Sequence, residues 1–324
     1  MNLHSVFSIV FVCSFTFPGA LQTVLAQDAA PKSSPARIVG YLPEYRLRSF
    51  QPTQAKLVTD IVFFAVSPRS NGDAGLEQIK PATWQMLETI RKTSGVRLHL
   101  CLGGWNRSKG FAALSASPEA RKRLAEQLVE FCQKHHFAGV DVDWEHPQSP
   151  AELANHGKLM TELHRAFAPH KLELSMAVAG WQELAPETIR AVDRVHLMAY
   201  DGEGKHSTLD FARKDIDRLI KRGVAANKIC LGVPFYGRKI TNHDRTLTYG
   251  EIVSRFHSRP DVDEVDGFYF NGPQTIEQKV KLAQDRKLAG IMIWELGQDA
   301  SGSAALLPVI RGAVDAASPA KSSR

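Results

Sequence analysis

Residues 137–147 read Phe137-Ala138-Gly139-Val140-Asp141-Val142-Asp143-Trp144-Glu145-His146-Pro147. Three carboxylates stand at alternate positions in an otherwise apolar run. Alternate side chains of a β-strand share a face. Val140, Val142 and Trp144 therefore point to one side and Asp141, Asp143 and Glu145 to the other. A strand does not hold acids on a buried face for stability, because unpaired buried charge is costly.

Outward from this stretch, short β-rich apolar runs recur at Arg37–Leu42, Ile61–Val66, Arg97–Leu102, Gly139–Asp143, Leu172–Val178, Arg194–Ala199, Lys228–Pro234 and Leu288–Trp294. Most are continuously apolar, as strands covered on both faces are. Helical patterns lie between them. Ser117-Pro118-Glu119 supplies a cap, a first-turn proline and an early acid, and Leu124, Leu128 and Phe131 continue the apolar stripe. Asp210–Gly223 ends Lys221-Arg222-Gly223, with basic residues matching the helix dipole and glycine at the exit. Eight strands alternating with helices predict an α/β fold, a single-domain (β/α)8 TIM barrel. An open doubly wound sheet is the competing topology; it calls for a phosphate-binding glycine loop after the first strand, which Gly40-Tyr41-Leu42-Pro43 is not.

In a barrel the three acids face the interior and climb toward the C-terminal strand ends, where barrel active sites sit. Stacked carboxylates cannot all ionise easily, so at least one retains a proton near neutral pH. That makes Glu145, at the mouth, a candidate general acid backed by Asp143 and Asp141. Two other readings compete: an ion-paired strand in an exposed sheet, and a magnesium or calcium site.

The 324-residue length suits one barrel with short termini. A composition 44% hydrophobic and 23% charged is that of a globular protein. The net charge of +6 is diffuse, without the basic stripe of a nucleic-acid reader. Val6 to Phe17 is an uncharged, largely apolar run, followed by Pro18-Gly19 and the small-residue pattern Val24-Leu25-Ala26. Residues 1–26 therefore read as a secretory signal peptide, predicting a secreted chain free of the membrane after cleavage. Residues 27–36 read as a flexible leader, 37–312 as the barrel and 313–324 as a flexible tail. Of the four cysteines, Cys13 falls in the signal; the odd remainder, Cys101, Cys132 and Cys230, argues against a disulfide framework. No Cys/His spacing resembles a zinc site, and no metal or cofactor is expected.

At these residues the sequence resembles glycoside hydrolase family 18, the chitinase family. The family's strand-four pattern is Asp-x-x-Asp-x-Asp-x-Glu; here Asp141, Asp143 and Glu145 match and Ala138 replaces the first acid. Strand three, normally Ser-x-Gly-Gly, reads Cys101-Leu102-Gly103-Gly104-Trp105. Strand six carries Met198-Ala199-Tyr200-Asp201, a full match. Gly40-Tyr41, Phe235-Tyr236-Gly237-Arg238 and Met292-Ile293-Trp294-Glu295 follow in barrel order, so the likeness covers about residues 37–300.

The resemblance implies substrate-assisted cleavage of an N-acetylglucosamine polymer. Glu145 would protonate the leaving oxygen while the substrate's acetamido oxygen attacks the anomeric carbon. Asp143 would hold the acetamido N–H, Asp141 would exchange a proton with Asp143, and Tyr200 would orient the acetamido carbonyl. Trp294 would form the floor, and Tyr41, Gly104, Trp105, Met198, Asp201, Tyr236 and Arg238 would line the binding groove. Trp181 is a second stacking candidate, and His146 could tune Glu145. Ala138 bears on packing and Cys101 on the proton affinity of Asp141. Residues 239–274 look too short for the extra α/β domain that many members insert after strand seven, which predicts a shallow cleft and internal cutting. The expected partner is an N-acetylglucosamine-containing polysaccharide, with no nucleic acid, and the expected state a monomer. An endo-β-N-acetylglucosaminidase of glycoprotein glycans or peptidoglycan, a non-cutting lectin and a metal-dependent hydrolase stay open.

Overall fold

The computed structural model describes residues 36–48 and 50–317. The expected signal peptide, all but the last leader residue, and 318–324 lie outside the described residues. The barrel strands are β1 (Arg37–Pro43), β2 (Asp60–Val66), β3 (Arg97–Gly103), β4 (Gly139–Asp143), β5 (Glu173–Ala179), β6 (Arg194–Met198) and β7 (Ile229–Pro234). An excursion follows, β8 (Tyr236–Lys239), β9 (Asn242–Thr248), β10 (Glu264–Val265) and β11 (Phe268–Tyr269), before the closing strand β12 (Gly290–Trp294). The eight barrel strands are parallel and closed, in the order β1-β12-β7-β6-β5-β4-β3-β2. Gly290 closes the seam, registering with Cys230 on β7 and Arg37 on β1.

Around the barrel run α1 (Pro81–Ser94), α2 (Phe111–Ala116), α3 (Pro118–His135), α4 (Pro150–Phe167), α5 (Pro186–Ala191), α6 (Leu209–Lys221), α7 (Tyr249–Phe256), α8 (Pro273–Asp285) and α9 (Leu306–Ala316). The start of α3 is the one its sequence predicts: Ser117 Oγ accepts the Ala120 N–H at 3.1 Å, with Pro118 in the first turn. The boundary expected at residue 312 falls inside α9, whose Leu306, Leu307, Ile310 and Val314 pack into the core. No described helix is long and apolar enough to cross a membrane.

Strand alternation sorts the core into two layers. Val140, Val142 and Trp144 join Leu124, Leu128, Leu159 and Phe111 between barrel and helices. Phe111 stacks on Trp144 with ring centroids 5.2 Å apart. Each large side chain buried in this way stabilises the fold by roughly 1.5–3 kcal/mol. Tyr41, Val62, Phe64, Cys101, Tyr200, Cys230 and Met292 fill the barrel interior instead. Cys101, Cys132 and Cys230 are free and buried.

The N-terminal end of the barrel is closed by ions. Asp60 meets Arg37 at 3.3 Å, Arg97 at 3.0 Å and His99 at 3.0 Å. Glu173 meets Arg97 at 2.5 Å and Arg194 at 2.7 Å. Burial alone would raise the Asp60 carboxyl, but His99 and Arg97 hold it far below the usual range.

The stretch after β7 is not bare loop. It folds into a four-stranded antiparallel sheet, β10-β11-β8-β9, with α7 beside it. Arg238 on β8 faces Thr246 on β9 and Tyr269 on β11, so the sheet grips it from both sides at the barrel's C-terminal end.

Candidate active site

The acids on β4 occupy successive depths. Asp141 is fully buried. It accepts the Tyr41 hydroxyl at 2.6 Å and the Ser175 hydroxyl at 2.6 Å, and its Oδ1 lies 3.0 Å from His196 Nδ1. The Tyr41 oxygen lies 2.9 Å from the same Nδ1. Tyr41 has one proton and gives it to Asp141, so Nδ1 must carry a hydrogen shared between the two oxygens. Burial would raise Asp141, but His196 and these hydrogen bonds hold it below the ordinary carboxylate value. Asp141 is the anion of the stack.

Asp143 is buried one layer up, and its Oδ1 has no hydrogen-bond partner among the described residues. Burial, with the carboxylates of Glu145 and Asp141 on either side, pushes it well above the ordinary value. Its surroundings are made by two glycines at the end of β3. Gly103 and Gly104 have φ of 98° and 104°, which L side chains rarely adopt. A Cβ at Gly103 would fall 2.3 Å from the Asp143 carbonyl, and one at Gly104 2.4 Å from the Phe64 ring. The Gly104 N–H donates to the Asp143 carbonyl at 2.6 Å.

Glu145 stands at the mouth with its side chain 14% exposed. Its own N–H donates to Ser108 Oγ at 3.0 Å, and Ser108 also reaches the Gly104 and Asp143 carbonyls. Burial first, and the charge of Asp201 second, push its carboxyl up to about 7, against a backbone hydrogen bond from Trp105. A carboxyl in this range exchanges its proton readily around neutral pH, so it can serve as acid and then as base.

Across the opening, Tyr200 lies two residues past β6 with its ring buried and its hydroxyl 3.9 Å from Met292 Sδ. Asp201 follows at φ 63° and is half-exposed. It accepts the Tyr236 hydroxyl at 2.5 Å and pairs with Arg238 at 2.7 Å. Trp294 ends β12, edge-on to Phe64 at 4.8 Å and tilted against Tyr41 at 5.6 Å. Met198, at the end of β6, also packs against the interior layer. Trp105 and Trp181 stand 69% and 60% exposed at the ends of β3 and β5.

The strand-four acids, Tyr200, Asp201 and Trp294 thus converge on one opening. Three expected groove residues sit elsewhere. Tyr41 is 1% exposed and serves Asp141 from below. Tyr236 and Arg238 hold Asp201 from behind, with Arg238 also tied to the His243 carbonyl. Their hydrogen bonds to acids pull them out of the groove. Gly104 touches the site through its backbone.

Ser175, His196 and Ser108 were missed. Ser175 and His196 are polar residues at inward positions of otherwise apolar strands, and that alternation is the signal that could have found them. Among the described residues no three His, Cys, Asp or Glu side chains are grouped to hold a metal ion.

A closed parallel barrel with an acid at its mouth, a graded carboxyl stack beneath and exposed tryptophans beside it defines a glycosidase of the barrel class. Residues 37–299 match the family model for glycosyl hydrolases family 18, and the chain belongs to that family. It is 25% identical to Probable chitinase 2 of Drosophila melanogaster, across 80% of this chain and 70% of that one. It is 26% identical to Probable chitinase 10 of the same fly across 65% of this chain, a match spanning 12% of that much longer protein. The crystal structure of the GH18 chitinase ChiB from the chitin utilization locus of Flavobacterium johnsoniae superposes with a TM-score of 0.78 at 28% identity, over 87% of this chain and 94% of that one.

Proposed function

We propose that this chain is a secreted, retaining glycosidase that cuts β-1,4-linked N-acetylglucosamine polymers of the chitin type with the substrate's own acetamido group as nucleophile. The observation that carries the reading is the stack on β4, with the Glu145 carboxyl at the mouth pushed up to about 7, above Asp143, whose buried Oδ1 has no hydrogen-bond partner among the described residues. A sugar on the Trp294 ring presents its glycosidic oxygen to Glu145 and its acetamido N–H to that free oxygen. The carbonyl oxygen then attacks the anomeric carbon as the C1–O bond breaks, and the Glu145 proton goes to the leaving oxygen. Asp143, able to release its own proton toward the Asp141 layer, balances the positive charge that develops on the ring. The Tyr200 hydroxyl, whose only hydrogen-bond partner among the described residues is the Met292 sulfur, orients the acetamido carbonyl. Water then attacks the anomeric carbon while the Glu145 carboxylate takes one of the water's protons, which restores the original anomer, the acetamido group and the acid. Trp105 and Trp181 extend the groove by stacking further sugars.

The test is Glu145→Gln assayed on chitohexaose, peptidoglycan and a high-mannose glycopeptide side by side. The amide keeps the shape and cannot donate a proton. Turnover falls by at least the roughly 10²–10⁴-fold that general acid catalysis supplies, while calorimetric affinity for chitohexaose survives. Near-wild-type turnover by this variant overturns the assignment.

A further inference from the structure

We propose that His146 is a positioning residue for the catalytic acid, its neutral imidazole aiming the Glu145 proton and its protonation setting the acid limb of the activity profile. This rests on the reading of Glu145 as the acid.

The geometry begins with Gln182, which follows β5 and is buried. Its side-chain Oε1 lies 2.9 Å from His146 Nδ1. An amide oxygen only accepts, so Nδ1 carries the hydrogen, and a neutral ring then has its lone pair on Nε2. That Nε2 lies 3.7 Å from Glu145 Oε2. This is too long for a hydrogen bond and short enough for one to close by a small rotation of either side chain. Trp181 meets the ring edge-on at a centroid distance of 4.7 Å. The turn bearing Trp181 and Gln182 is fastened in its turn: Arg222 donates to the Gly180 carbonyl at 2.7 Å and the Trp181 carbonyl at 3.1 Å. The imidazole is therefore held on one side by an amide and on another by an indole, with its acceptor nitrogen toward the acid.

The charges around this pair decide what protonation does. Facing Glu145 are Asp143 from its own strand, with Asp141 behind, Asp201 and Tyr200 from the end of β6, and Cys101 from β3. Gln182 and Trp181 carry no charge, and the nearby Arg222 and Glu183 pair with each other at 2.9 Å. Burial lowers the His146 pKa, with the Gln182 hydrogen bond opposing it. Around neutral pH, where Glu145 titrates, its protonated form presents an O–H to the lone pair of a neutral ring, which favours the acid form. Below neutral pH the ring gains a second N–H and a positive charge. The lone pair is lost, the Glu145 carboxylate is favoured over the acid, and a cation now faces the cationic transition state of the sugar.

The experiment is the pH profile of kcat and KM on chitohexaose for wild type, His146→Gln and Gln182→Leu, each checked for native circular dichroism. His146→Gln removes the titrating group, and its acid limb moves at least half a pH unit to lower pH. Gln182→Leu leaves the ring but frees its tautomer, so kcat falls several-fold with KM little changed. Imidazole ¹⁵N shifts of wild type provide a measurement free of folding risk: at pH 7 the ring is neutral with Nδ1 protonated. Superimposable acid limbs in wild type and His146→Gln overturn the inference, as does an Nε2–H tautomer at pH 7. If Glu145→Gln stays active, the acid assignment fails first; if it is inactive and the limbs coincide, the role of His146 alone fails.

Discussion

Three carboxylates of one strand acquire three proton affinities because each stands at a different depth with different partners. Asp141 is held anionic by His196, Ser175 and Tyr41, Asp143 is left with burial and like charge, and Glu145 settles at about 7. The folded pKa of Asp141 lies below its unfolded value near 3.9. Its contribution is therefore present above that value and is lost as pH falls through the folded one. Tyr41→Phe deletes one donor to the anion, an interaction worth about 1.5–3 kcal/mol. The folded pKa rises, the contribution shrinks, and the midpoint of acid unfolding moves to higher pH than in wild type, read by fluorescence across a pH series. An unchanged midpoint would mean that the remaining donors suffice. Much of this site was legible as pattern, since acids at i, i+2 and i+4 in an apolar strand have few structural uses. The donors were not, because a lone serine or histidine inside Glu173–Ala179 or Arg194–Met198 gains meaning only when register sets Ser175 beside Asp141.

Between strand ends and helices, the segment joining β6 to α6 carries Tyr200 and Asp201 and is anchored from α8. Lys279 there is 0% exposed. Its Nζ donates to the Ser207 carbonyl at 2.9 Å, Ser207 Oγ at 2.7 Å and Asn271 Oδ1 at 2.7 Å. Ser207 Oγ–H donates a hydrogen bond to the Ala199 carbonyl at 2.7 Å. Three acceptors suit an ammonium, yet burial lowers this lysine to about 7, with Asp263 opposing. Between about 7 and the unfolded value near 10.4, the unfolded chain binds the extra proton, so this group makes stability rise with pH across that window. Lys279→Met lacks the effect. The stability difference between wild type and variant shifts toward wild type by a few kcal/mol from pH 6.5 to 9.5 in urea unfolding, and a pH-independent difference would show that the lysine does not titrate in the fold. The position was readable, because Ile276, Lys279, Val280 and Ala283 share one helical stripe, and a lysine on such a stripe needs partners. The sheet after β7 was harder. Asn242-His243-Asp244-Arg245-Thr246-Leu247-Thr248 has little apolar alternation, and its strands form by pairing with one another. The excursion acts as a buttress, bringing Tyr236 and Arg238 behind Asp201.

At the scale of the whole barrel, one end is closed by the Asp60–Arg97–Glu173–Arg194 network and the other is opened around the carboxyl stack. This polarity restricts reaction to the C-terminal mouth, where the β-1,4 backbone of several polymers would fit between Trp105, Trp181 and Trp294. What discriminates among them is whether the substrate brings a nucleophile. On the proposed reading it must: Asp141 is fully buried and already bonded, Glu145 would serve as the acid, and Asp143 would receive an N–H on an oxygen that has no partner among the described residues. Cellohexaose and fully deacetylated chitosan share the backbone and lack the acetamido carbonyl. Without it the attack loses its intramolecular character, where good positioning is worth roughly 7–11 kcal/mol. Cellohexaose is therefore expected to remain uncut under conditions that consume chitohexaose. On partly acetylated chitosan every product is expected to carry an N-acetylated sugar at its new reducing end, because only a sugar in the Trp294 position with its own carbonyl can react. Mass-spectrometric sequencing of those ends decides the matter. A substantial share of deacetylated reducing ends would place the nucleophile on the protein, and the Asp141–Asp143–Glu145 stack would then have to supply it.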